Sequence, residues 1–221
     1  MSFSEQLKQD AQEILEVTYQ HPFVQGIARG DLCAEQLIHY VKQDHAYLNA
    51  MIQARGMAIA KSDNREDMEM FHKSIAYVLY DEGRAHENLC RVAGVDYADL
   101  QGFPLTPSAH HYVSHMLAAA ATGTVADIIA ATLPCPWVYD EIGRRLVREI
   151  NPDPSHPFYD WIMIYGNDTS GAIDRYFARL DQLAAETSEA ARERMRDLFL
   201  TSCKMEYNFF DMAYRLEEWP V

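Results

Sequence analysis

Apolar side chains recur at intervals of three and four along nearly all of this 221-residue chain. No segment alternates with the period of two that a half-buried strand requires, and no Asn-Gly or Asp-Gly hairpin turn occurs. Ala11, Ile14, Leu15 and Tyr19 mark a helix over 10–19, and His21-Pro22 opens a short segment ending at Gly30. Leu37, Val41, Ala46 with Tyr47, Met51, Ala54 and Ala58 mark a long amphipathic helix over 34–61. Asp63-Asn64, ahead of Arg65-Glu66-Asp67, reads as a helix start with acids in its first turn, predicted to run to Val92 and end near Gly94. After a loop holding Gly102, Pro104 and Pro107, Thr106-Pro107 reads as an N-cap with proline at the first helical position, opening a helix to Gly123. Further helices are expected over 124–150, 157–165, 168–185 and 188–217, with a loop at Asn151-Pro152-Asp153-Pro154. The pattern predicts an all-α, multihelical bundle. The length fits one domain over 1–221, and no repeat, low-complexity segment or linker divides it.

The charge balance excludes some partners. With 19 basic and 33 acidic residues the formal charge is −14, so the surface repels phosphate backbones and anionic membranes, and nucleic acid is not an expected partner. No apolar run reaches the ~20 residues of a membrane helix. The polar start, Met1-Ser2-Phe3-Ser4-Glu5-Gln6, lacks the basic and apolar regions of a signal peptide, so a cytoplasmic location is expected. Cys33, Cys90, Cys135 and Cys203 form no C-x-x-C pair and are expected as reduced thiols.

Cys135 stands out among them. It lies between two prolines in Leu133-Pro134-Cys135-Pro136-Trp137-Val138-Tyr139, inside an otherwise helical stretch. Proline lacks a helix donor and clashes with the preceding turn, so the helix should kink or restart here and leave the thiol beside a pocket. If the helix resumes, Cys135 and Tyr139 face the same way. Asp44 and Tyr47 share a face of the long helix over 34–61, and an acid beside apolar positions must be paired to be buried. Glu206 sits in the aromatic run Met205-Glu206-Tyr207-Asn208-Phe209-Phe210, where burial would raise its pKa towards that of a useful proton donor. His110, His111 and His115 cluster near Tyr112, and His111 and His115 have a metal-helix spacing. The internal glutamate of H-E-x-x-H is missing, so a wet helix face is the expected reading and no metal is assigned. Glu82, His86 and Glu87 could belong to a di-iron site, but no histidine follows His156 to supply a second Glu-x-x-His unit. A thiol with two acids and several tyrosines, and no evident Cys-His-Asn set, suits addition to an electron-poor heterocycle better than peptide cleavage.

The segments around Tyr40-Val41-Lys42-Gln43-Asp44-His45-Ala46-Tyr47-Leu48, Glu82-Gly83-Arg84-Ala85-His86-Glu87, Pro134-Cys135-Pro136-Trp137-Val138-Tyr139, Trp161-Ile162-Met163-Ile164-Tyr165-Gly166 and Cys203-Lys204-Met205-Glu206-Tyr207-Asn208-Phe209-Phe210 carry a resemblance. Together they make the chain similar, over nearly its whole length, to the thiaminase II (TenA) family, in its cysteine-containing branch. The resemblance implies a haem-oxygenase-like helical fold without haem, no other cofactor, and a homotetramer. It implies a small pyrimidine as substrate: hydrolysis of 4-amino-5-aminomethyl-2-methylpyrimidine, with thiamin as a second candidate, to the hydroxymethyl pyrimidine reused in thiamin synthesis. On this resemblance Cys135 takes the nucleophile's place, Glu206 that of the acid for the leaving group, and Asp44 that of the acid contacting the aminopyrimidine and the thiol. Tyr112 matches a donor to a ring nitrogen, and Tyr47, Tyr139 and Tyr165 match tyrosines that stack on or enclose the ring. The alternatives are a pyrimidine carrier with a degenerate site, and a di-iron oxygenase on the same fold.

Overall fold

The computed structural model describes residues 1–167 and 170–221. Its helices are α1 (Phe3–Asp10), α2 (Gln12–Tyr19), α3 (Pro22–Arg29), α4 (Ala34–Lys61), α5 (Arg65–Tyr80), α6 (Gly83–Ala93), α7 (Pro107–Thr122), α8 (Val125–Thr132), α9 (Pro134–Ile150), α10 (Tyr159–Gly166), α11 (Ala172–Ala185) and α12 (Glu189–Arg215), with a short 3-10 turn at Tyr97–Leu100. No strand occurs among the described residues.

Two long helices organise the bundle. The buried face of α4 runs Leu37, Tyr40, Val41, Asp44, Tyr47, Met51, Ala54, Ala58, a stripe at helical spacing. It packs on α5, α6, α7 and α12. Helix α12 buries Met195, Phe199, Cys203, Glu206, Phe210 and Ala213 and also meets α7, α8 and α9. One apolar cluster extends from Leu7 to Ala213. Asp44 and Glu206 are therefore acids on the inward faces of the two central helices.

The expected starts and stops hold in part. Asn64 caps α5 by accepting from the Asp67 N–H at 2.8 Å, and left-handed Gly30 and Gly94 end α3 and α6. Pro107 opens α7, but Thr106 does not cap it. The Thr106 N–H and hydroxyl both turn to Gln43 Oε1, and the Glu217 carboxylate receives the Ser108 N–H at 2.8 Å.

Three boundaries differ from the sequence reading. The first helix begins at Phe3 and bends at Ala11. The helix predicted over 65–92 is two: the Asp81 and Glu82 N–H groups share the Tyr77 carbonyl, at 2.8 and 3.0 Å, and the chain restarts at Gly83, a weak helix former. The helix expected over 168–185 is Ala172–Ala185; positions 168 and 169 lie outside the described residues. The proline pair acts as expected. Helix α8 ends at Thr132 and α9 begins at Pro134, with Leu133 between them.

Candidate active site

The restart at Pro134 puts Cys135 in the first turn of α9. Pro134 and Pro136 have no N–H, so this helix end lacks two of the donors that would otherwise hold an anion beside the thiol. Cys135 and Tyr139, one turn apart, both line a cavity of about 450 Å³, as do Asp44 and Leu48 of α4, Glu82 from the α5–α6 break, and Tyr165 of α10. Cys135, Glu82 and Tyr165 keep intermediate exposure. Because they line this cavity, their polar atoms behave as interior groups. Burial pushes the Cys135 thiol well above its ordinary value, and the charges of Glu206, Asp44 and Glu82 push it further, against a smaller opposing effect of the Tyr47 hydroxyl. The resting thiol is protonated at neutral pH, and a thiol in this state needs a base before it can act as a nucleophile.

Asp44 can be that base. One of its oxygens, Oδ2, lies 2.6 Å from Nε2 of fully buried His86 on α6. Glu206, 2% exposed, accepts from the Tyr112 hydroxyl at 2.5 Å. Burial raises Glu206 to about 8, the Tyr112 hydrogen bond works against this, and Asp44 adds to it. A carboxyl protonated at neutral pH and next to the thiol's field is a proton donor in waiting. Tyr47 packs its ring on Tyr112 at 4.7 Å and sets its buried hydroxyl beside the Cys135 thiol. Tyr139 meets the Tyr40 hydroxyl at 2.5 Å and packs on Tyr165 at 4.9 Å. The Tyr165 hydroxyl donates to Glu82 Oε1 at 2.7 Å. Burial raises the Glu82 carboxyl as well.

All seven sequence-derived residues thus converge, in two groups. Asp44, Cys135, Tyr139 and Tyr165 line the cavity. Tyr47, Tyr112 and Glu206 are buried among the core side chains that adjoin the thiol. Sequence reasoning missed Tyr40, Glu82 and His86 as members. Glu82 and His86 were visible as a carboxylate and a histidine on one helix, but read as possible metal ligands. Their partners, Tyr165 and Asp44, are far away in sequence. Among the described residues no group of three or more His, Cys, Asp or Glu side chains is placed to hold a metal ion. His110 and His111 are exposed, and His115 turns to Ser202 at 3.1 Å.

An all-helical bundle that closes a thiol, carboxylates and phenols into one cavity defines an enzyme-type site. The chain belongs to the TENA/THI-4/PQQC family, whose model matches residues 8–216. An aminopyrimidine aminohydrolase of Bacillus subtilis (strain 168) is 36% identical over 223 residues, covering 99% of this chain and 92% of the relative. A TenA family transcription regulator from Silicibacter sp. TM1040 has a solved structure with TM-score 0.83 and 27% identity, covering 95% of each chain. The haem oxygenase of Leptospira interrogans, at 15% identity and TM-score 0.57 over 95% of this chain and 98% of that one, shares the fold alone. The fold is haem-oxygenase-like and all-helical.

Proposed function

We propose that this enzyme is a hydrolase of aminopyrimidines, acting on 4-amino-5-aminomethyl-2-methylpyrimidine and on thiamin in thiamin salvage. The observation that carries the reading is the Cys135 thiol, set in a cavity with Asp44 and Glu82 and electrostatically coupled to Glu206. The full-length likeness to an aminopyrimidine aminohydrolase supports it.

In the proposed reaction Asp44 takes the thiol proton, and sulfur bonds to the ring carbon next to a ring nitrogen. That nitrogen gains a proton, with Tyr112 as its donor group, and aromaticity is lost. The 4-amino nitrogen then pushes electrons towards the exocyclic methylene, whose C–N bond breaks. Glu206 protonates the departing amine, which leaves as ammonia. Water adds to the methylene and returns one proton to Glu206, electrons return to the ring, the ring nitrogen gives its added proton back to Tyr112, and the C–S bond breaks as sulfur takes its proton back from Asp44. Tyr47, Tyr139 and Tyr165 stack on or enclose the ring. The net change is water in and ammonia out, so no cofactor enters the balance. The same reading places the chain in the cysteine branch of its family, as a cytoplasmic homotetramer. Gene regulation by DNA contact is disfavoured by the net charge of −14.

The test is ammonia release from the aminomethyl pyrimidine, beside release of the thiazole alcohol from thiamin, for wild type and Cys135→Ser. Loss of roughly 10³ or more in turnover by a folded Cys135→Ser protein is the expected result. Unchanged turnover would remove the cysteine mechanism. Binding without turnover in the wild type would favour a carrier.

A further inference from the structure

The cavity is longer than one aminopyrimidine ring. Asp44, Leu48, Met51 and Arg55 all line it and form a single stripe along α4. From Asp44 to Arg55 the helix rises about 16 Å, more than twice the span of a six-membered ring. The wall changes character on the way. At the Asp44 end it offers the thiol and carboxylates, then the apolar Leu48 and Met51, and at the far end a guanidinium.

Arg55 is unusual among the cations of this wall. It is 5% exposed. Its hydrogen bond among the described residues is a long one, from Nη1 to the Ser74 carbonyl at 3.4 Å, and its buried Nε has no partner. The other basic side chains of the wall, Lys73 and Arg175, and its Asp140 make short contacts. Lys73 pairs with Glu69 at 2.6 Å, Arg175 donates to the Ser170 carbonyl at 2.8 Å, and Arg144 holds Asp140 at 2.7 Å. Asp44 is held by His86 and Glu82 by Tyr165; Arg55 lowers the Glu82 carboxyl through space but makes no ion pair with it. A guanidinium taken out of water without a carboxylate partner is costly, and its planar fork fits phosphate or carboxylate oxygens.

We infer that the far lobe of the cavity receives an anion, and that the favoured ligands are aminopyrimidines whose leaving group ends in a phosphate or a carboxylate, with Arg55 as counter-ion. The inference rests on the aminopyrimidine reading of the Cys135 end. It makes Arg55 a specificity-determining residue, acting on the leaving group and not on the reacting carbon.

The experiment is calorimetric binding to Cys135→Ser protein, with and without Arg55→Gln. The probes are thiamin, thiamin monophosphate, and the aminomethyl pyrimidine acylated on its amino group with either a pentanoyl or a glutaryl chain. At least tenfold tighter binding of an anionic probe than of its uncharged-tail counterpart is expected, and Arg55→Gln should bring that ratio to about one. The phosphate and glutaryl arms separate the two anion types. Arg55→Lys keeps the charge without the fork and should keep part of the preference, which covers the case of a poorly folded glutamine variant. Equal binding of charged and uncharged probes, or a preference that survives Arg55→Gln, overturns the inference and leaves the aminopyrimidine reading standing. Failure of every pyrimidine to bind removes both.

Discussion

At the scale of the residue, the site depends on protons held where water would not hold them. Folded Glu206 titrates at about 8, against an ordinary 4.5. Between those values the folded state keeps a proton that the unfolded chain has lost. The stabilisation is therefore complete below pH 4.5 and is lost as pH rises to about 8, at about 1.4 kcal/mol per pH unit for one such group. Glu82 acts with the same sign. Urea unfolding at pH 5, 6, 7 and 8 should show stability falling with pH, and Glu206→Gln should flatten that slope; an unaltered slope would mean that Glu206 is already ionised. Turnover of the wild type should decline as pH passes about 8, where Glu206 loses the proton assigned to the leaving group. Tyr112→Phe should raise Glu206 further, because its hydroxyl donates to the carboxylate, and infrared titration of the carboxyl band would report the shift. Residues of this kind were legible in the sequence when they broke a local rule. A thiol between prolines and a glutamate in an aromatic run both do so. His86 breaks none, since an ordinary helical histidine gives no sign that its partner lies 42 positions earlier.

At the scale of the element, α10 reaches the cavity because two glycines let it lie against α9. A Cβ on Gly143 would stand 2.5 Å from the Gly166 nitrogen and 2.6 Å from the Tyr165 carbonyl carbon, and one on Gly166 would meet Val147 Cγ2 at 2.5 Å. Backbone atoms cannot turn aside as a flexible side chain can, so Gly143→Ala should force the helices apart and carry Tyr165 away from Glu82. The expected cost is about 1–3 kcal/mol, or about 2–4 °C in Tm for each kcal/mol, read by thermal melting. An unchanged melting midpoint would show that the two helices separate freely. Helix periodicity made nearly all of these elements legible. The break at Asp81 and Glu82 was not, because its apolar spacing runs through without a proline, and the interruption comes from two amides sharing one carbonyl. That short break carries Glu82 into the cavity wall, so the least legible boundary is also one that builds the site.

At the scale of the molecule, the described residues contain no helix long and apolar enough to cross a membrane. The acidic surface still includes an apolar patch where α5 ends. Leu79 is 54% exposed and Tyr80 79%, with Tyr77 beside them. Such a patch fits burial between copies of the chain in the proposed tetramer. Sedimentation analysis should therefore return four times the 25.3 kDa chain mass, and a species of single-chain mass would remove that assembly. The overall architecture was readable because hydrophobic spacing reports on helices one at a time. The meeting of α4, α5, α9, α10 and α11 around one cavity is a property of three dimensions, which helical spacing could not supply.

The proline-flanked start of α9 also governs how the protein ages. A cysteine held as a neutral thiol, between two prolines that offer it no N–H, reacts slowly with peroxide and with alkylating agents. Exposed Cys33 should be alkylated by iodoacetamide well before Cys135, a sequence of events that peptide mass spectrometry resolves. On the proposed mechanism the thiol then lies dormant between encounters with substrate, and oxidative wear falls first on exposed Cys33.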